Sequence, residues 1–177
     1  MNIAVYLGST SGNKDEFSFA AKRFGRWIGG NGHTLVYGGA NRGLMGDVAD
    51  AVLESGGKVI GVIPDVDRIQ ERKHDGLTQL IEASSMAERK SKMIELADAF
   101  VALPGGIGTL DEITEVMSLS SLDIVSGKII MFNTDGYYDP LKKVLENIID
   151  NGFGKKEYFK KVLFSDDIEE IAGFLNV

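Results

Sequence analysis

Short apolar runs rich in β-branched residues alternate with longer amphipathic stretches along the chain. The apolar runs have the length of buried strands and lie at residues 3–7, 34–37, 58–63, 99–103 and 128–132, with a further shorter run at 77–83. Helical periodicity is found at about 14–29, 44–55, 87–96, 110–122 and 140–151, and again near the C-terminus. This alternation predicts an α/β fold, a Rossmann-like doubly wound parallel sheet with helices on both faces.

Composition narrows the class of protein. The chain has 177 residues, is 44% hydrophobic and has no low-complexity tract, which predicts one domain over residues 1–177. A net charge of -7 disfavours nucleic acid and anionic membranes as partners, because both repel it at long range. There is no cysteine, no apolar run near the roughly 20 residues of a membrane span, and no recognisable signal peptide. We therefore expect a cytoplasmic protein.

Four glycine-bearing loops follow predicted strands. They are residues 8–12, 38–43, 61–64 and 104–109. In open α/β sheets, ligands bind outside the carboxyl ends of the strands, so these loops are expected to converge on one crevice. Gly8, Ser9, Gly38 and Gly39 are accordingly candidate substrate-binding residues. The charged segment 64–76 lacks clear periodicity and is interpreted as a loop with one turn of helix, or as a lid.

The fourth loop, Pro104-Gly105-Gly106-Ile107-Gly108-Thr109, lies between a strand and a helix start. Glycines let backbone N–H groups approach an anion closely, and the helix dipole adds attraction, so this loop is a candidate phosphate cradle. It has neither the Walker lysine nor the Gly-x-Gly-x-x-Gly spacing, which disfavours ATP hydrolysis and NAD chemistry. The candidate substrate-binding residues here are Gly105, Gly106, Ile107, Gly108 and Thr109.

Two interpretations of Thr109 and Glu112 remain open. Thr-x-x-Glu is a capping box, which would make Thr109 the helix N-cap and would use Glu112 to bind backbone N–H groups. The following helix puts Leu110, Ile113 and Met117 on one face and leaves Glu112 off it, at the mouth of the crevice. A carboxylate there is also a candidate to activate water.

Arg89 and Lys90 follow another capping box, Ser85-Met86-Ala87-Glu88, which predicts a helix start near Met86. On that helix, Met86, Met93, Ile94 and Ala97 form an apolar arc that contains Lys90 and has Arg89 at its edge. Inward cations in a first helical turn are unfavourable without an anion. The two side chains bind an anionic ligand, or one or both either extend to the surface or pair with a carboxylate at the core edge, such as Asp98 or Glu115.

Several motifs together resemble the lonely-guy family of cytokinin-activating phosphoribohydrolases, whose members were often labelled lysine decarboxylases. The resemblance covers nearly the whole chain. Its motifs are Tyr37-Gly38-Gly39, Gly43-Leu44-Met45-Gly46, Gly61-Val62-Ile63-Pro64, Glu88-Arg89-Lys90, the Pro104 to Glu112 stretch with its Pro-Gly-Gly-x-Gly-Thr-x-x-Glu pattern, Asp135-Gly136-Tyr137-Tyr138 and Asn151-Gly152-Phe153. No lysine lies in a recognisable pyridoxal-phosphate setting, so the decarboxylase label has no support here.

The resemblance implies a homodimer of Rossmann-like subunits that cleaves N6-modified adenosine 5′-monophosphates or AMP, with no metal and no cofactor. It implies Arg89 and Glu112 as the catalytic pair, and Lys90 with residues 105–109 as nucleotide-binding residues. Glu115 is added as a candidate substrate-binding residue. Two positions depart from the family pattern, because Ala87 replaces a histidine and Ala40 replaces the third glycine of its loop.

N-glycosidic hydrolysis passes through an oxocarbenium-like ribose that a nearby carboxylate stabilises, and we assign that carboxylate to Glu112. The alternative is a nucleotide or molybdenum-cofactor carrier on the same fold, without catalysis. A third possibility is a regulatory module that senses nucleotide. A carrier has no evident need to combine Arg89 with Glu112, so this combination favours the enzyme.

Overall fold

The computed structural model describes residues 1–66 and 73–177. Seven strands of the described chain form one sheet, and every neighbouring pair is parallel. The strands are β1 (Asn2–Tyr6), β2 (Thr34–Tyr37), β3 (Lys58–Pro64), β4 (Gln79–Ala83), β5 (Ala99–Ala102), β6 (Lys128–Phe132) and β7 (Val162–Ser165). Their spatial order is β4-β3-β2-β1-β5-β6-β7.

Helices cover both faces of this sheet. They are α1 (Asp15–Gly30), α2 (Gly43–Glu54), α3 (Met86–Leu96), α4 (Ile107–Ser121), α5 (Asp139–Asp150), α6 (Lys156–Phe159) and α7 (Ile168–Leu175), with a 3₁₀ turn at Thr134–Gly136. One core layer packs α1, α2 and α7 against the sheet through residues such as Phe24, Val48 and Ile171. The other packs α3 and α4 through Met93 and Ile113. The Rossmann-like doubly wound fold predicted from the sequence is confirmed.

The switch point of the sheet lies between its central strands. From β1 the chain moves outward through β2 and β3 to β4, and then returns to β5 on the other side of β1. The loops after β1 and β5 therefore leave adjacent strand ends toward helices on opposite faces, which opens a crevice between them. No helix of the described residues has the length and apolar character to span a membrane.

Most predicted elements match the structure closely, and three details differ. The strand β7 and the single-turn helix α6 were not predicted, because β7 is a short edge strand of four residues between charged segments. The stretch 61–64 is the end of β3 rather than a loop. Of the predicted loop or lid at 64–76, residues 67–72 lie outside the described residues, and Lys73 forms an isolated bridge with Ala40.

Candidate active site

A cleft of about 480 Å³ opens at the carboxyl ends of the central strands. All four glycine-bearing segments contribute to its wall, which confirms that they converge on one crevice. The contributing residues from these segments are Gly8, Ser9, Gly38, Ala40, Pro64, Gly106, Gly108 and Thr109. The side chains of Arg89, Asp111 and Glu112 complete its polar lining.

Arg89 and Glu112 form a buried ion pair in this wall. Arg89 lies in the first turn of α3 and Glu112 in α4, and the two residues are 7% and 9% exposed. The Arg89 Nη1 atom donates a hydrogen bond to Glu112 Oε1, and Nε donates to the Val62 carbonyl at 3.1 Å. The sequence predicted Glu112 at the mouth of the crevice and Arg89 facing inward on its helix, and the family resemblance implied that they act as a pair. The structure adds that each is the other's partner, so the anion that compensates Arg89 is Glu112.

The backbone around Arg89 is built to admit its side chain. A Cβ atom on Gly38 would lie 2.0 Å from Arg89 Nη2, so the guanidinium occupies space that only glycine leaves open. The start of α3 is fixed as predicted, since the Ser85 hydroxyl accepts a hydrogen bond from Glu88 N at 3.1 Å. The Glu88 carboxylate accepts one from Ser84 N at 2.7 Å. This N-cap fixes the start of α3, and Arg89 is buried on the inner face of that helix.

Burial changes the acid–base properties of the Glu112 carboxyl. Desolvation raises the pKa of Glu112 above its ordinary value, and the positive charge of Arg89 partly opposes this effect. The neighbouring Tyr6 also lines the cleft, and burial raises the pKa of its phenol as well. A carboxylate of raised pKa beside a substrate-sized cleft has the properties of a group that exchanges protons with a reactant.

The capping-box interpretation of Thr109 and Glu112 is wrong. The helix α4 begins at Ile107, with Gly106 as its N-cap, so Thr109 lies inside the first turn. The Glu112 carboxylate binds Arg89 rather than the helix start. The early start is possible because Gly105 lacks a side chain: a Cβ atom there would lie 2.1 Å from Thr109 Oγ1. Thr109 is buried and borders the cleft.

Lys90 pairs with carboxylates, which is one of the possibilities that the sequence left open. Its Nζ atom lies 2.7 Å from Glu115 Oε2 and 3.0 Å from Asp111 Oδ2. The ion pairs with Glu115 and Asp111 raise the pKa of Lys90, so its positive charge is paired with carboxylates of α4. Neither Lys90 nor Glu115 is among the residues that line the cleft, whereas Asp111 is. Asp98, the other carboxylate considered, accepts a hydrogen bond from Asn2 N instead.

The remaining predicted residues support the site or lie beside it. Gly39 and Gly105 are outside the lining, and so is Ile107, which is 82% exposed.

Met86 was expected in the apolar arc of α3, but it is 46% exposed and borders the cleft because it is the first residue of the helix. Ala87, which replaces the family's histidine, is exposed and is not a lining residue. Met45 and Asp111 lie in motifs of the family resemblance, but neither they nor Tyr6 were predicted as site residues.

The described sheet is doubly wound, with its switch point between β1 and β5 and a cleft at the strand ends there. The chain is therefore in the class of Rossmann-like proteins with a ligand crevice at the strand ends. Residues 45–175 match the family model described as possible lysine decarboxylase, and the chain belongs to this family.

Relatives in this family have phosphoribohydrolase names. The chain is 40% identical over 169 residues to the cytokinin riboside 5′-monophosphate phosphoribohydrolase of Rhodococcoides fascians, covering 95% of this chain and 85% of the relative. It is 41% identical over 170 residues to the enzyme of that name from Oryza sativa subsp. japonica, covering 96% and 70%. The family resemblance inferred from the motifs is confirmed.

Two solved structures of similar fold are named for molybdenum cofactor binding instead. The molybdenum cofactor carrier protein of Chlamydomonas reinhardtii matches with a TM-score of 0.75 at 19% identity, over 99% of this chain and 98% of that chain. The molybdenum cofactor binding protein of Rippkaea orientalis matches with a TM-score of 0.70 at 19% identity, over 97% and 95%. At this level of identity, the likeness shows the shared fold alone.

Proposed function

We propose that this protein is a phosphoribohydrolase that cleaves the N-glycosidic bond of AMP or N6-modified AMP, giving free base and ribose 5-phosphate. The observation that carries the proposal is the buried ion pair of Arg89 and Glu112 in the wall of a cleft at the sheet's switch point. The names of the relatives at about 40% identity support the reaction and the substrate class.

Glu112 is the group that stabilises the reacting sugar. As the base leaves, positive charge develops on the ribose ring, and a carboxylate nearby lowers the energy of that transition state. In its ionised form Glu112 also orients and deprotonates the attacking water, which its raised pKa favours. The departing base takes up a proton from solvent, and Glu112 releases the proton from water to solvent, so that free base and ribose 5-phosphate result. Arg89 holds this carboxylate in place and positions the ribose hydroxyls. The fork of the guanidinium suits both tasks, because it offers several donors in one plane.

The 5′-phosphate binds at the start of α4. The N–H groups of the first helical turn, beginning at Ile107, have no partner within the helix, and the dipole favours an anion there. Gly106, Gly108 and Thr109 border the cleft at this end. Phosphate binding then fixes the sugar against Glu112, so binding energy from a remote group lowers the barrier to reaction.

The carrier alternative has no observation of its own in its favour. Similarity to molybdenum cofactor carriers lies below 25% identity and extends to the fold only. A carrier needs groups that hold its cargo, but it has no need for a desolvated carboxylate of raised pKa held by a buried arginine. The enzyme therefore remains the function that the site supports best.

We also propose that the protein is a homodimer. The amphipathic helix α5 has no buried residue, and large apolar side chains near α4 and α5 are exposed: Leu122 (66%), Ile124 (66%), Val144 (55%) and Phe153 (87%). A second copy would remove these side chains from water. Sedimentation analysis is expected to give the mass of two chains, and a monomer at micromolar concentration would contradict the proposal.

The reaction is tested by incubating the protein separately with AMP, N6-isopentenyl-AMP and adenosine, and by separating the products chromatographically. We expect equal amounts of free base and ribose 5-phosphate from one or both monophosphates. For adenosine we expect kcat/KM at least about 100-fold lower, because the charge-assisted hydrogen bonds to phosphate are lost. Tight nucleotide binding without release of base would contradict the proposal and favour a carrier.

A further inference from the structure

Three successive carbonyl groups of the loop after β5 are each held by a different donor. The Leu103 carbonyl accepts a hydrogen bond from the Tyr138 hydroxyl at 2.6 Å. The Pro104 carbonyl accepts one from Gly8 N at 3.1 Å, and the Gly105 carbonyl accepts one from the Tyr137 hydroxyl at 2.5 Å. Each of these three peptides is therefore held by a donor that lies outside α4, the helix that follows the loop.

Fixing a carbonyl also fixes the N–H group on the other side of the same peptide. The described peptide bonds are trans, so the C=O and N–H of one peptide point in opposite directions. When Tyr137 holds the Gly105 carbonyl, the Gly106 N–H is directed away from Tyr137. Gly106 borders the cleft, and among the described residues its N–H donates to no other group. This peptide therefore presents a donor at the start of α4.

The ring of Tyr137 is held independently of its hydroxyl. It packs edge-on against Phe17 and Tyr138, at centroid distances of 5.6 and 5.0 Å. The turn before it is stabilised by an ion pair between Lys14 and Asp135, and it includes a left-handed Gly136 at φ 69°. Removing the hydroxyl alone leaves these contacts intact, so its contribution to the loop can be measured separately from packing.

We propose that Tyr137 is a positioning residue for phosphate binding: its hydroxyl holds the Gly105 carbonyl so that the Gly106 N–H faces the 5′-phosphate of the substrate. Tyr137 does not line the cleft and acts only through the Gly105–Gly106 peptide. The inference rests on the proposed function, because it assigns the phosphate to this loop.

The chain offers a matched control in the adjacent tyrosine. Tyr138 makes the same kind of hydrogen bond to the same loop, but the peptide it holds ends in the nitrogen of Pro104, which has no hydrogen to donate. Tyr138 is also buried, whereas Tyr137 is 41% exposed. Removing the Tyr138 hydroxyl therefore leaves a buried carbonyl without its donor and does not reorient any N–H group.

The experiment compares the full-length protein with its Tyr137→Phe and Tyr138→Phe variants. Calorimetry measures the Kd of ribose 5-phosphate, which reports phosphate binding without turnover. Steady-state assays measure kcat and KM for AMP and kcat/KM for adenosine, and thermal unfolding measures Tm.

For Tyr137→Phe, we expect the Kd of ribose 5-phosphate and the KM of AMP to rise about fivefold, as for the loss of one oriented hydrogen bond. We expect kcat/KM for adenosine and Tm to stay close to those of the unsubstituted protein. For Tyr138→Phe, we expect the opposite pattern: a Tm lower by about 4 °C, with the Kd of ribose 5-phosphate unchanged.

Equal Kd values in the unsubstituted protein and Tyr137→Phe would overturn the positioning role while leaving the reaction intact. The same loss for adenosine as for AMP would also overturn it, because adenosine has no phosphate to position. If the unsubstituted protein neither hydrolyses AMP nor binds ribose 5-phosphate, the proposed function fails and this inference fails with it.

Discussion

Arg89 and Glu112 occupy positions where each charge is unfavourable alone. Both are removed from water, and Arg89 lies in the first turn of α3, where the helix dipole opposes a cation. Their contact compensates part of this cost, while the pKa of Glu112 stays raised. Such an arrangement is retained for chemistry more readily than for stability, since a buried ion pair is seldom more stable than an apolar pair of the same size.

Replacing Arg89 by alanine tests how strongly these charges are coupled. At neutral pH the variant is expected to lose about 3 kcal/mol in its free energy of unfolding, because the Glu112 carboxylate is left buried without a cation. Arg89 lowers the pKa of Glu112, so its removal raises this pKa further. The contribution of a raised carboxyl pKa to stability is present below pH 4.5, the ordinary value, and is lost as pH rises through the folded-state pKa. The deficit should therefore shrink as pH falls.

Urea unfolding of the unsubstituted protein and of Arg89→Ala from pH 8 to about pH 5 measures this deficit. The variant Arg26→Ala is the matched control, because Arg26 is an exposed residue of α1. A deficit in Arg89→Ala that is constant over this range would show that Glu112 does not titrate against Arg89.

The sequence predicted part of the arrangement around Arg89 and Glu112. Periodicity placed Arg89 inward and Glu112 off the core face, and the family motif joined them as a pair. It did not predict the Val62 carbonyl or the missing side chain of Gly38 as the reasons that the guanidinium fits, because β2 and β3 meet α3 only in the folded chain. For Lys90, periodicity predicted an inward position, and whether a ligand or a carboxylate is its partner depends on the register between α3 and α4.

At the scale of elements, the connection between β5 and α4 determines the shape of the proposed phosphate site. The sequence predicted a strand, a glycine-rich turn and a helix there, and the structure has them in that order. The helix begins three residues earlier than the predicted start at 110, because propensity rules penalise Gly108 and favour Thr109 as a cap. A side chain at Gly105 would collide with Thr109 and Gly8, so the glycine permits the boundary that the structure has.

Two alanine substitutions separate the effect of packing from that of helix propensity in the segment that connects β5 to α4. A Cβ atom on Gly105 would lie 2.1 Å from Thr109 Oγ1 and 2.9 Å from Gly8 N, so Gly105→Ala must displace the loop. We expect it to lower the free energy of unfolding by about 1–3 kcal/mol. In Gly108→Ala the new methyl group would have no atom within 4 Å and would lie in a helix, so stability should be unchanged or rise by up to about 1 kcal/mol.

Urea denaturation of both variants measures these changes. If Gly105→Ala were as stable as the unsubstituted protein, the close approach of the loops after β1 and β5 would not be required by the fold.

At the scale of the whole molecule, the order of the strands creates the site. The alternation of strands and helices predicted a parallel sheet, but the position of the switch between β1 and β5 depends on which strands pair. That pairing brings Gly8, Gly38 and Gly106 to one cleft although they are far apart in the chain. The edge strand β7 was not predicted, because half-buried edges have weak apolar patterns.

The net charge of -7 constrains how this molecule binds an anionic substrate. Long-range attraction cannot concentrate a nucleotide at a negatively charged protein, so binding must depend on local donors. In the proposed function these donors are the N–H groups at the start of α4, the Gly106 N–H and the guanidinium of Arg89. We propose that this local arrangement hydrolyses the N-glycosidic bond with Glu112 as the essential carboxylate.

The most direct test is the rate at which Glu112→Gln releases ribose 5-phosphate from AMP or N6-isopentenyl-AMP, compared with the unsubstituted protein. Glu95→Gln is the matched control, because Glu95 is an exposed residue of α3 that pairs with Lys92. We predict that Glu112→Gln stays folded, binds AMP with a Kd within a few-fold of the original, and loses at least about 100-fold in kcat, while Glu95→Gln retains full activity. A folded Glu112→Gln variant with kcat close to that of the unsubstituted protein would contradict the account.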